Sequence, residues 1–343
     1  MSSANRPPLT SPRVSILLPV FDAASTLPTC LRSIRRQTES NWECIVVDDG
    51  SRDESLACAR SFALADARFR VVASPHRGLV ATLNTGLAEC RSPLVARMDA
   101  DDIMHRERLA VQKHALEADP ALAAVGCHVR LFPRRALGEG MRAYERWLTS
   151  IDSPERVVRE AFVECPIAHP TLVVRRELLA SFRYRDAGWP EDYDLVLRML
   201  EKGCRIRVIR RRLLAWRHGP LRLSQTHPDY SIARFTACKA AFLARGFLAA
   251  SDRYVLWGYG ATGRSLCRAL RALGKFPSAI VELHPGRIGE VIQGAPVIRP
   301  ETLASRPVVP LVVSVARQER RDEIRRDLAR LGYRETRDYV CAA

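Results

Sequence analysis

Two groups of acidic residues have the types and spacing needed to bind a metal ion. Residues 48–49 are Asp-Asp, and residues 99–102 read Asp-Ala-Asp-Asp. Carboxylates gathered in one place repel one another unless a cation or a donor-rich ligand lies among them. Hard divalent cations such as Mg²⁺ and Mn²⁺ prefer oxygen ligands and often share them with substrate phosphates. Together the two groups predict a metal-bound diphosphate, although either group alone could simply cap a following helix.

The surrounding sequence predicts how these acids are positioned. Apolar runs typical of buried strands begin near residues 14, 44, 69 and 94, and apolar residues between them follow helical spacings. This period indicates βαβ units, and therefore a parallel sheet with helices on both faces. In such sheets ligands bind beyond the carboxyl ends of the strands. Both acidic groups directly follow a predicted strand, so we expect them to share one crevice.

The composition limits the class of protein. The chain has 343 residues, of which 47% are hydrophobic and 27% charged, as is usual for a globular protein of two or three domains. The net charge is +16, but 50 of the 54 basic residues are arginine and they are spread along the chain. Nucleic acid is therefore not an expected partner, and an anionic substrate or membrane surface is the better expectation.

Cysteine usage and the N-terminus bear on the compartment. The ten cysteines contain no C-x-x-C pair, so a structural zinc site has no support. Residues 1–13 are polar and rich in Pro and Ser, without the apolar core of a signal peptide. We expect reduced cysteines and a cytoplasmic protein, with peripheral contact to the inner face of the membrane as an option.

The order of several motifs resembles that of the family 2 glycosyltransferases. These motifs are VSILLPVF at 14–21, VVDDGS at 46–51 and MDADD at 98–102, and the resemblance covers roughly residues 12–240. It implies a GT-A fold, which is an α/β domain with a mixed sheet flanked by helices. It also implies a nucleotide-sugar donor, a Mn²⁺ or Mg²⁺ ion and inversion at the anomeric carbon. We expect this domain to span residues 13–245, after a flexible N-terminus at 1–12.

The resemblance further implies roles for individual residues. Either Asp48 or, more specifically, Asp49 would accept a hydrogen bond from the nucleotide base. Asp99 would lie near the ribose and the metal, and Asp101 would be the main metal ligand. One departure is Asp22, where the family commonly has asparagine.

Other residues are expected around the donor, although some have a structural alternative. Asn84 could equally be a satisfied polar group of the core, and His218 could be structural. The expected donor-pocket residues are Pro19, Phe21, Arg77 and Asn84, with His218 near the diphosphate or metal.

A third acidic site resembles the family's Glu-Asp signature at the start of a helix. Residues 189–192 read Trp-Pro-Glu-Asp. Inversion by direct displacement needs a base that takes the proton of the acceptor hydroxyl. Asp192 is the expected base, and Glu191 would orient it or contact the sugar. Both acids could also complement the dipole of the helix, and the two roles are compatible.

A second α/β unit is expected at residues 252–343. A predicted strand runs into Gly258, Gly260 and Gly263, and Glu282 follows 19 residues after Gly263, at the end of the next strand. Such glycines allow a phosphate to approach a helix N-terminus, and an acid in that position contacts ribose in dinucleotide folds. NAD or another nucleotide is thus a candidate ligand. The unit resembles the Rossmann-like domain at the front of some sugar acyltransferases, and a domain without ligand is the alternative.

Together with these observations, the resemblance implies an inverting, metal-dependent glycosyltransferase. Its donor would be a nucleoside diphosphate sugar, and its acceptor a hydroxyl of a glycan or a lipid-linked molecule. Two other classes stay open. One is a nucleotide-sensing binding protein with a degenerate transferase half, and the other is a nicotinamide-dependent sugar oxidoreductase, for which no hydride-transfer residues stand out. The sequence does not predict the sugar, the linkage or the oligomeric state.

Overall fold

The computed structural model describes residues 11–219, 222–305 and 309–343. Most of the predicted flexible N-terminus therefore lies outside the described residues. None of the helices in the described ranges is both long and apolar enough to cross a lipid bilayer.

Strands and helices alternate along the described chain. The strands are β1 (Val14–Val20), β2 (Trp42–Asp48), β3 (Phe69–Ala73), β4 (Leu94–Arg97), β5 (Ile103–Met104), β6 (Leu122–Phe132), β7 (Val173–Arg175), β8 (Arg205–Arg217), β9 (Arg253–Trp257), β10 (Phe276–Val281), β11 (Val291–Ile292), β12 (Ala295–Ile298), β13 (Leu311–Val313) and β14 (Tyr339–Cys341). The helices are α1 (Leu27–Arg35), α2 (Ser55–Ala65), α3 (Leu79–Glu89), α4 (Arg108–Ala118), α5 (Glu139–Ser150), α6 (Pro154–Glu160), α7 (Arg176–Phe182), α8 (Glu191–Glu201), α9 (Leu223–Thr226), α10 (Ile232–Arg245), α11 (Ala261–Ala272) and α12 (Gln318–Arg330).

The chain forms two compact units whose segments interleave along the sequence. The first unit comprises residues up to 154, 167–186 and 202–220, and the second comprises 155–166, 187–201 and 221–343. The sequence suggested a simpler division into 13–245 and 252–343. Three segments of that first predicted domain, at 155–166, 187–201 and 221–245, instead group with the C-terminal sheet.

The first unit contains a mixed sheet with the strand order β3-β2-β1-β4-β7-β6-β8-β5. The four strands expected from the sequence are mutually parallel, as predicted. Every residue of β1 and β2 is buried, which explains why apolar residues predominate in both strands. The sheet becomes mixed at β7, which pairs antiparallel with both β4 and β6. The predicted mixed α/β fold is therefore confirmed.

Helix α5 begins in a basic stretch that contains two glycines, at positions 138 and 140. Gly138 is the N-cap of α5, and the helix buries Trp147 and Leu148. The ring of Tyr144 stacks on Trp147 with 5.7 Å between centroids, which gives the helix its aromatic contact.

The second unit is built on a sheet with the order β11-β12-β10-β9-β13-β14. All its pairings are parallel except that of β11 with β12. The Tyr193 hydroxyl of α8 donates a hydrogen bond to the Ala161 carbonyl at 2.7 Å, and its ring lies 5.6 Å from that of Phe235 in α10. These contacts explain why α8 groups with this unit. The resemblance to an acyltransferase domain stays a prediction.

Candidate functional site

The acidic groups of the first unit lie at one edge of its sheet. Strand β1 pairs in parallel with β2, placing Val20 opposite Asp48, and with β4, placing Leu17 opposite Arg97. Parallel strands end at the same edge. Asp48 is the last residue of β2, and residues 49 and 99–102 lie beyond the carboxyl ends of β2 and β4. The structure thus brings together the two groups that the sequence singled out.

Three carboxylates form a compact cluster at this edge. One oxygen each from Asp99, Asp101 and Asp102 lies within 4.8 Å of the other two. Asp102 is fully buried, whereas Asp99 and Asp101 are partly exposed. An all-carboxylate set of this size suits a hard cation such as Mg²⁺ or Mn²⁺. Asp102 was not singled out as a ligand from the sequence, although it belongs to the Asp-Ala-Asp-Asp run.

Two arginines hold the acidic cluster in place. The Arg97 guanidinium forms an ion pair with Asp99. The backbone N–H of Arg217 donates to Asp102 Oδ1 at 2.7 Å, and its side-chain Nε donates to the Asp101 carbonyl at 2.8 Å. The Arg217 guanidinium also stacks over the Phe132 ring, 4.6 Å from its centroid. The loop is therefore fixed by β8, a strand more than 100 residues away.

His218 directly follows Arg217 in the chain. Its backbone N–H donates to the Phe132 carbonyl at 2.7 Å. Within the described ranges, the cluster of possible metal ligands consists of the three aspartates and does not include His218. A role for this histidine near the metal or the diphosphate stays a prediction.

Asp49 organises the loop that follows β3. Its Oδ1 accepts the Arg77 N–H and its Oδ2 accepts the Gly78 N–H, both at 2.9 Å, and His76 Nδ1 lies 2.9 Å from Oδ2. Gly50 permits this arrangement because a Cβ there would lie only 2.7 Å from the backbone nitrogen of His76. The predicted residue Arg77 thus contributes its backbone N–H, while its guanidinium donates to Thr85 Oγ1 at 3.1 Å.

An exposed aromatic pair stands beside Asp49. The rings of Phe21 and His76 stack with 4.3 Å between centroids, and Phe21 is 41% exposed. Flat rings at a surface crevice are suited to stacking against a nucleobase. Sequence reasoning identified Phe21 but missed His76, because only the folded loop brings the two together.

Two other predicted donor residues are enclosed by the fold. Pro19 is buried within β1, opposite Val47. Asp48 is also buried, and its Oδ2 accepts the Ser51 N–H at 3.2 Å. Its Oδ1 has no hydrogen-bond partner among the described residues. A buried unpaired carboxylate oxygen is costly, so this strand end is suited to completion by a bound group or a loop rearrangement.

The contacts of Asn84 fit the alternative in which it is a satisfied polar group of the core. Its Nδ2 donates to the Tyr184 carbonyl at 2.9 Å, and its Oδ1 accepts the Tyr184 N–H at 3.0 Å. Both ends of the amide therefore serve to join α3 to the segment after α7. A donor contact by Asn84 stays a prediction.

The predicted catalytic acids lie in the first turn of α8, in the second unit. Asp192 is partly exposed, and its Oδ1 accepts the Tyr193 N–H at 2.7 Å. Glu191 is buried and accepts a hydrogen bond from the Tyr230 hydroxyl. Asp194 forms an ion pair with Arg198 at 2.6 Å. Acids in the first turn stabilise the helix, and catalytic roles for Glu191 and Asp192 stay predictions.

The glycine motif of the second unit forms a tight turn between β9 and α11. Gly258 has a φ of +95°, and a Cβ on Gly263 would lie 2.1 Å from the Gly258 carbonyl oxygen. Gly260 is the N-cap of α11 and has open space around it. Glu282 follows β10, and its carboxylate lies 3.6 Å from the Arg287 guanidinium. The predicted strand-turn-helix geometry is therefore present.

Comparison with known sequences gives consistent relatives. The sequence model of Glycosyl transferase family 2 matches residues 15–182. EpsE of Bacillus subtilis (strain 168) is 30% identical over 200 residues, which cover 57% of this chain and 69% of EpsE. The amylovoran biosynthesis glycosyltransferase AmsE of Erwinia amylovora is 30% identical over 193 residues, covering 55% and 70%. EpsH of the same Bacillus strain is 40% identical over 92 residues, but the match spans only 27% of its length.

Solved structures share the fold. The Staphylococcus aureus protein TarS, residues 1–349 in complex with UDP-GlcNAc, has a TM-score of 0.55 at 16% identity, covering 75% of this chain and 71% of that one. The mannosyltransferase PcManGT of Pyrobaculum calidifontis, in complex with GDP-Man and Mn²⁺, has a TM-score of 0.51 at 20% identity, covering 77% and 70%. At this level of identity the likeness concerns the fold alone.

Proposed function

The chain belongs to glycosyl transferase family 2, and from that premise we propose that it is an inverting, metal-dependent enzyme that transfers a sugar from a nucleoside diphosphate sugar to an acceptor hydroxyl. The observation that carries this proposal is the cluster of Asp99, Asp101 and Asp102 beyond the ends of parallel strands. Three carboxylates converging at a ligand-binding edge are best explained by a cation held together with a diphosphate.

The metal would be held by Asp101 and Asp99, with Asp102 supporting the loop. When bound, a Mn²⁺ or Mg²⁺ ion would supply positive charge that neutralises the leaving diphosphate. The structure of PcManGT contains Mn²⁺ with GDP-Man, which supports the same class of ligands here. The ion pair of Arg97 with Asp99 fixes that carboxylate and offsets part of the local negative charge.

The nucleoside would lie against the loops after β1, β2 and β3. The exposed pair of Phe21 and His76 provides a stacking surface, and Asp48 or Asp49 provides the acceptor for a base N–H. The Asp49 carboxylate already accepts hydrogen bonds from the backbone N–H groups of Arg77 and Gly78. A base contact through Asp49 would therefore add to a carboxylate whose position is set in advance.

Asp192 is the proposed general base. In direct displacement its carboxylate takes the proton of the acceptor hydroxyl, the acceptor oxygen bonds to the anomeric carbon, and the bond to the diphosphate oxygen breaks. The configuration at that carbon inverts. Glu191, held by the Tyr230 hydroxyl, is the proposed positioning group for the sugar or for Asp192.

The acceptor is proposed to be a glycan or a lipid-linked hydroxyl. The name of AmsE ties that relative to the biosynthesis of a polysaccharide, amylovoran. We place the reaction on the cytoplasmic side, where nucleotide sugars serve as donors, with peripheral membrane contact through arginines as a further proposal.

The experiment is a panel of nucleotide sugars tested for release of nucleoside diphosphate with Mn²⁺. We expect activity with at least one donor, and a loss of at least about 100-fold in Asp101→Ala and Asp192→Asn. Asp119→Ala is the matched control, since Asp119 is a partly exposed aspartate of the first unit whose carboxylate lies 3.6 Å from Arg205. Full turnover in the first two variants would refute the assigned roles.

The same panel tests the alternative class. A nucleotide-sensing protein would bind one of these donors tightly, as a rise in melting temperature, and would release no diphosphate with any acceptor. That result would support a degenerate transferase half.

A further inference from the structure

The strand order of the second unit has a switch point that the proposed transfer reaction does not use. From β9 the chain runs through α11 to β10, which is the neighbour of β9 towards one edge of the sheet. The other neighbour of β9 is β13, and from β13 the chain runs through α12 to β14 at the opposite edge. The strand order therefore changes direction between β9 and β13, and in open parallel sheets such a switch point binds ligands beyond the carboxyl ends. Gly258 follows β9 and Ser314 follows β13, so these residues flank the space beyond this switch point, which we call the crevice.

The turn after β9 leaves space at the start of α11. Gly263 packs so closely that a Cβ there would lie 2.1 Å from the Gly258 carbonyl oxygen. By contrast, a Cβ on Gly260 would meet nothing within 4 Å. The first N–H groups of this 12-residue helix have no partner within the helix and carry partial positive charge. An anion can therefore approach them directly over Gly260.

Ser314 provides a second, independent indication of a ligand. The residue is 3% exposed, and its Oγ has no hydrogen-bond partner among the residues that the structure describes. Its N–H donates to the Trp257 carbonyl at 2.8 Å, and its Cβ lies 3.8 Å from the position of a Cβ on Gly263. The side chain therefore lies against the glycine turn. A buried hydroxyl without a partner is uncommon and costly, and a bound acceptor atom would satisfy it.

A buried arginine of α12 holds the loop after β13 in place. The buried Arg321 guanidinium donates to the Ala316 carbonyl at 2.7 Å and to the Val315 carbonyl at 3.2 Å. On the other side of the crevice, Glu282 follows β10 and is only partly buried. The crevice thus combines hydroxyl and N–H donors at its centre with one carboxylate at the neighbouring strand end.

We propose that this crevice binds the diphosphate of a nucleotide. The Ser314 hydroxyl and the first N–H groups of α11 donate to phosphate oxygens, and Glu282 accepts hydrogen bonds from ribose hydroxyls. This donor-and-acceptor pattern matches a nucleoside diphosphate, which a dinucleotide such as NAD⁺ and a nucleotide sugar both contain. The site uses none of the residues assigned to sugar transfer, so it stands or falls independently of the proposed function.

Isothermal titration calorimetry on the full chain tests this proposal. The Asp101→Asn background in EDTA suppresses metal-assisted binding at the first unit, and the probes are pyrophosphate, NAD⁺ and UDP-GlcNAc. We expect one site for NAD⁺ or UDP-GlcNAc. Ser314→Ala should weaken it about tenfold, as expected for one hydrogen bond to a charged group.

Gly260→Val should abolish the binding because its side chain fills the approach to the helix. Gly138→Val is the matched control, because Gly138 is also an N-cap glycine, has a similar φ of −70° and has open space around it. Glu282→Gln should weaken the binding of the nucleotides but leave the binding of pyrophosphate unchanged. Which nucleotide binds identifies the source of the diphosphate.

Two outcomes would overturn the proposal. One is the absence of binding by every probe in the Asp101→Asn background. The other is nucleotide binding that Gly260→Val and Ser314→Ala leave unchanged while both variants retain the melting temperature of Gly138→Val. Neither outcome bears on diphosphate release by the wild-type chain, so failure here and failure of the proposed transferase activity are distinguishable.

Discussion

Replacing Asn84 by alanine should destabilise the first unit, and the same variant tests the predicted donor contact. The amide makes two hydrogen bonds to the Tyr184 backbone, at 2.9 and 3.0 Å. Each such bond contributes about 0.5–1.5 kcal/mol, so we expect a loss of about 1–3 kcal/mol in the free energy of unfolding. For a unit of this size, each kcal/mol lowers the melting temperature by roughly 2–4 °C.

Differential scanning calorimetry of Asn84→Ala measures the loss, and calorimetric titration with UDP measures donor binding. Asn41→Ala is the control, since its Nδ2 makes one surface contact of 3.2 Å with the Ser11 carbonyl. The change in melting temperature in Asn41→Ala should be less than about half of the change in Asn84→Ala. If Asn84→Ala kept its melting temperature but bound UDP about tenfold more weakly, the structural role would be refuted and a donor contact supported.

Three further changes have defined outcomes. Asp102→Asn should lower both stability and Mn²⁺ affinity, because the carboxylate that accepts the Arg217 N–H at 2.7 Å loses its charge; unchanged Mn²⁺ titrations would contradict this. Burial lowers the pKa of His169 well below its usual value. As the pH falls, the imidazole is therefore protonated in the unfolded state before it is protonated in the folded state. The stability from this group is present above about pH 6.5 and is lost below it, by up to about 1.4 kcal/mol per pH unit, and urea titrations of His169→Gln should show a shallower acid dependence. Gly263→Ala should lower the melting temperature of the second unit, because its Cβ would lie 2.1 Å from a carbonyl oxygen, whereas Gly260→Ala meets nothing within 4 Å; equal melting temperatures would contradict the tight turn.

The parallel half of the first sheet could be predicted because its signal is local. Strands buried on both faces, such as β1 and β2, appear in the sequence as predominantly apolar runs. The position of the acids that follow these strands could be predicted without further information, since the carboxyl ends of parallel strands share an edge. For this reason the sequence located the edge where Asp49 and Asp101 lie.

The groups that hold those acids could not be predicted in the same way. Arg217 reaches Asp102 from a strand 115 residues later in the chain, and His76 meets Phe21 only because the loop after β3 folds over. No sequence spacing encodes such pairings, which depend on sheet order. The grouping of α8 with the C-terminal unit was hidden for the same reason, since it depends on packing of Tyr193 against distant segments.

The central claim is that carboxylates at the sheet edge hold a divalent cation together with a nucleoside diphosphate. Anomalous diffraction from crystals of the chain grown with Mn²⁺ and UDP tests it most directly. We predict a Mn²⁺ peak bonded to an Asp101 oxygen, with Asp99 adjacent and the UDP phosphates completing the shell. Bound UDP without Mn²⁺ at Asp101, or Mn²⁺ bound elsewhere on the chain, would contradict the account.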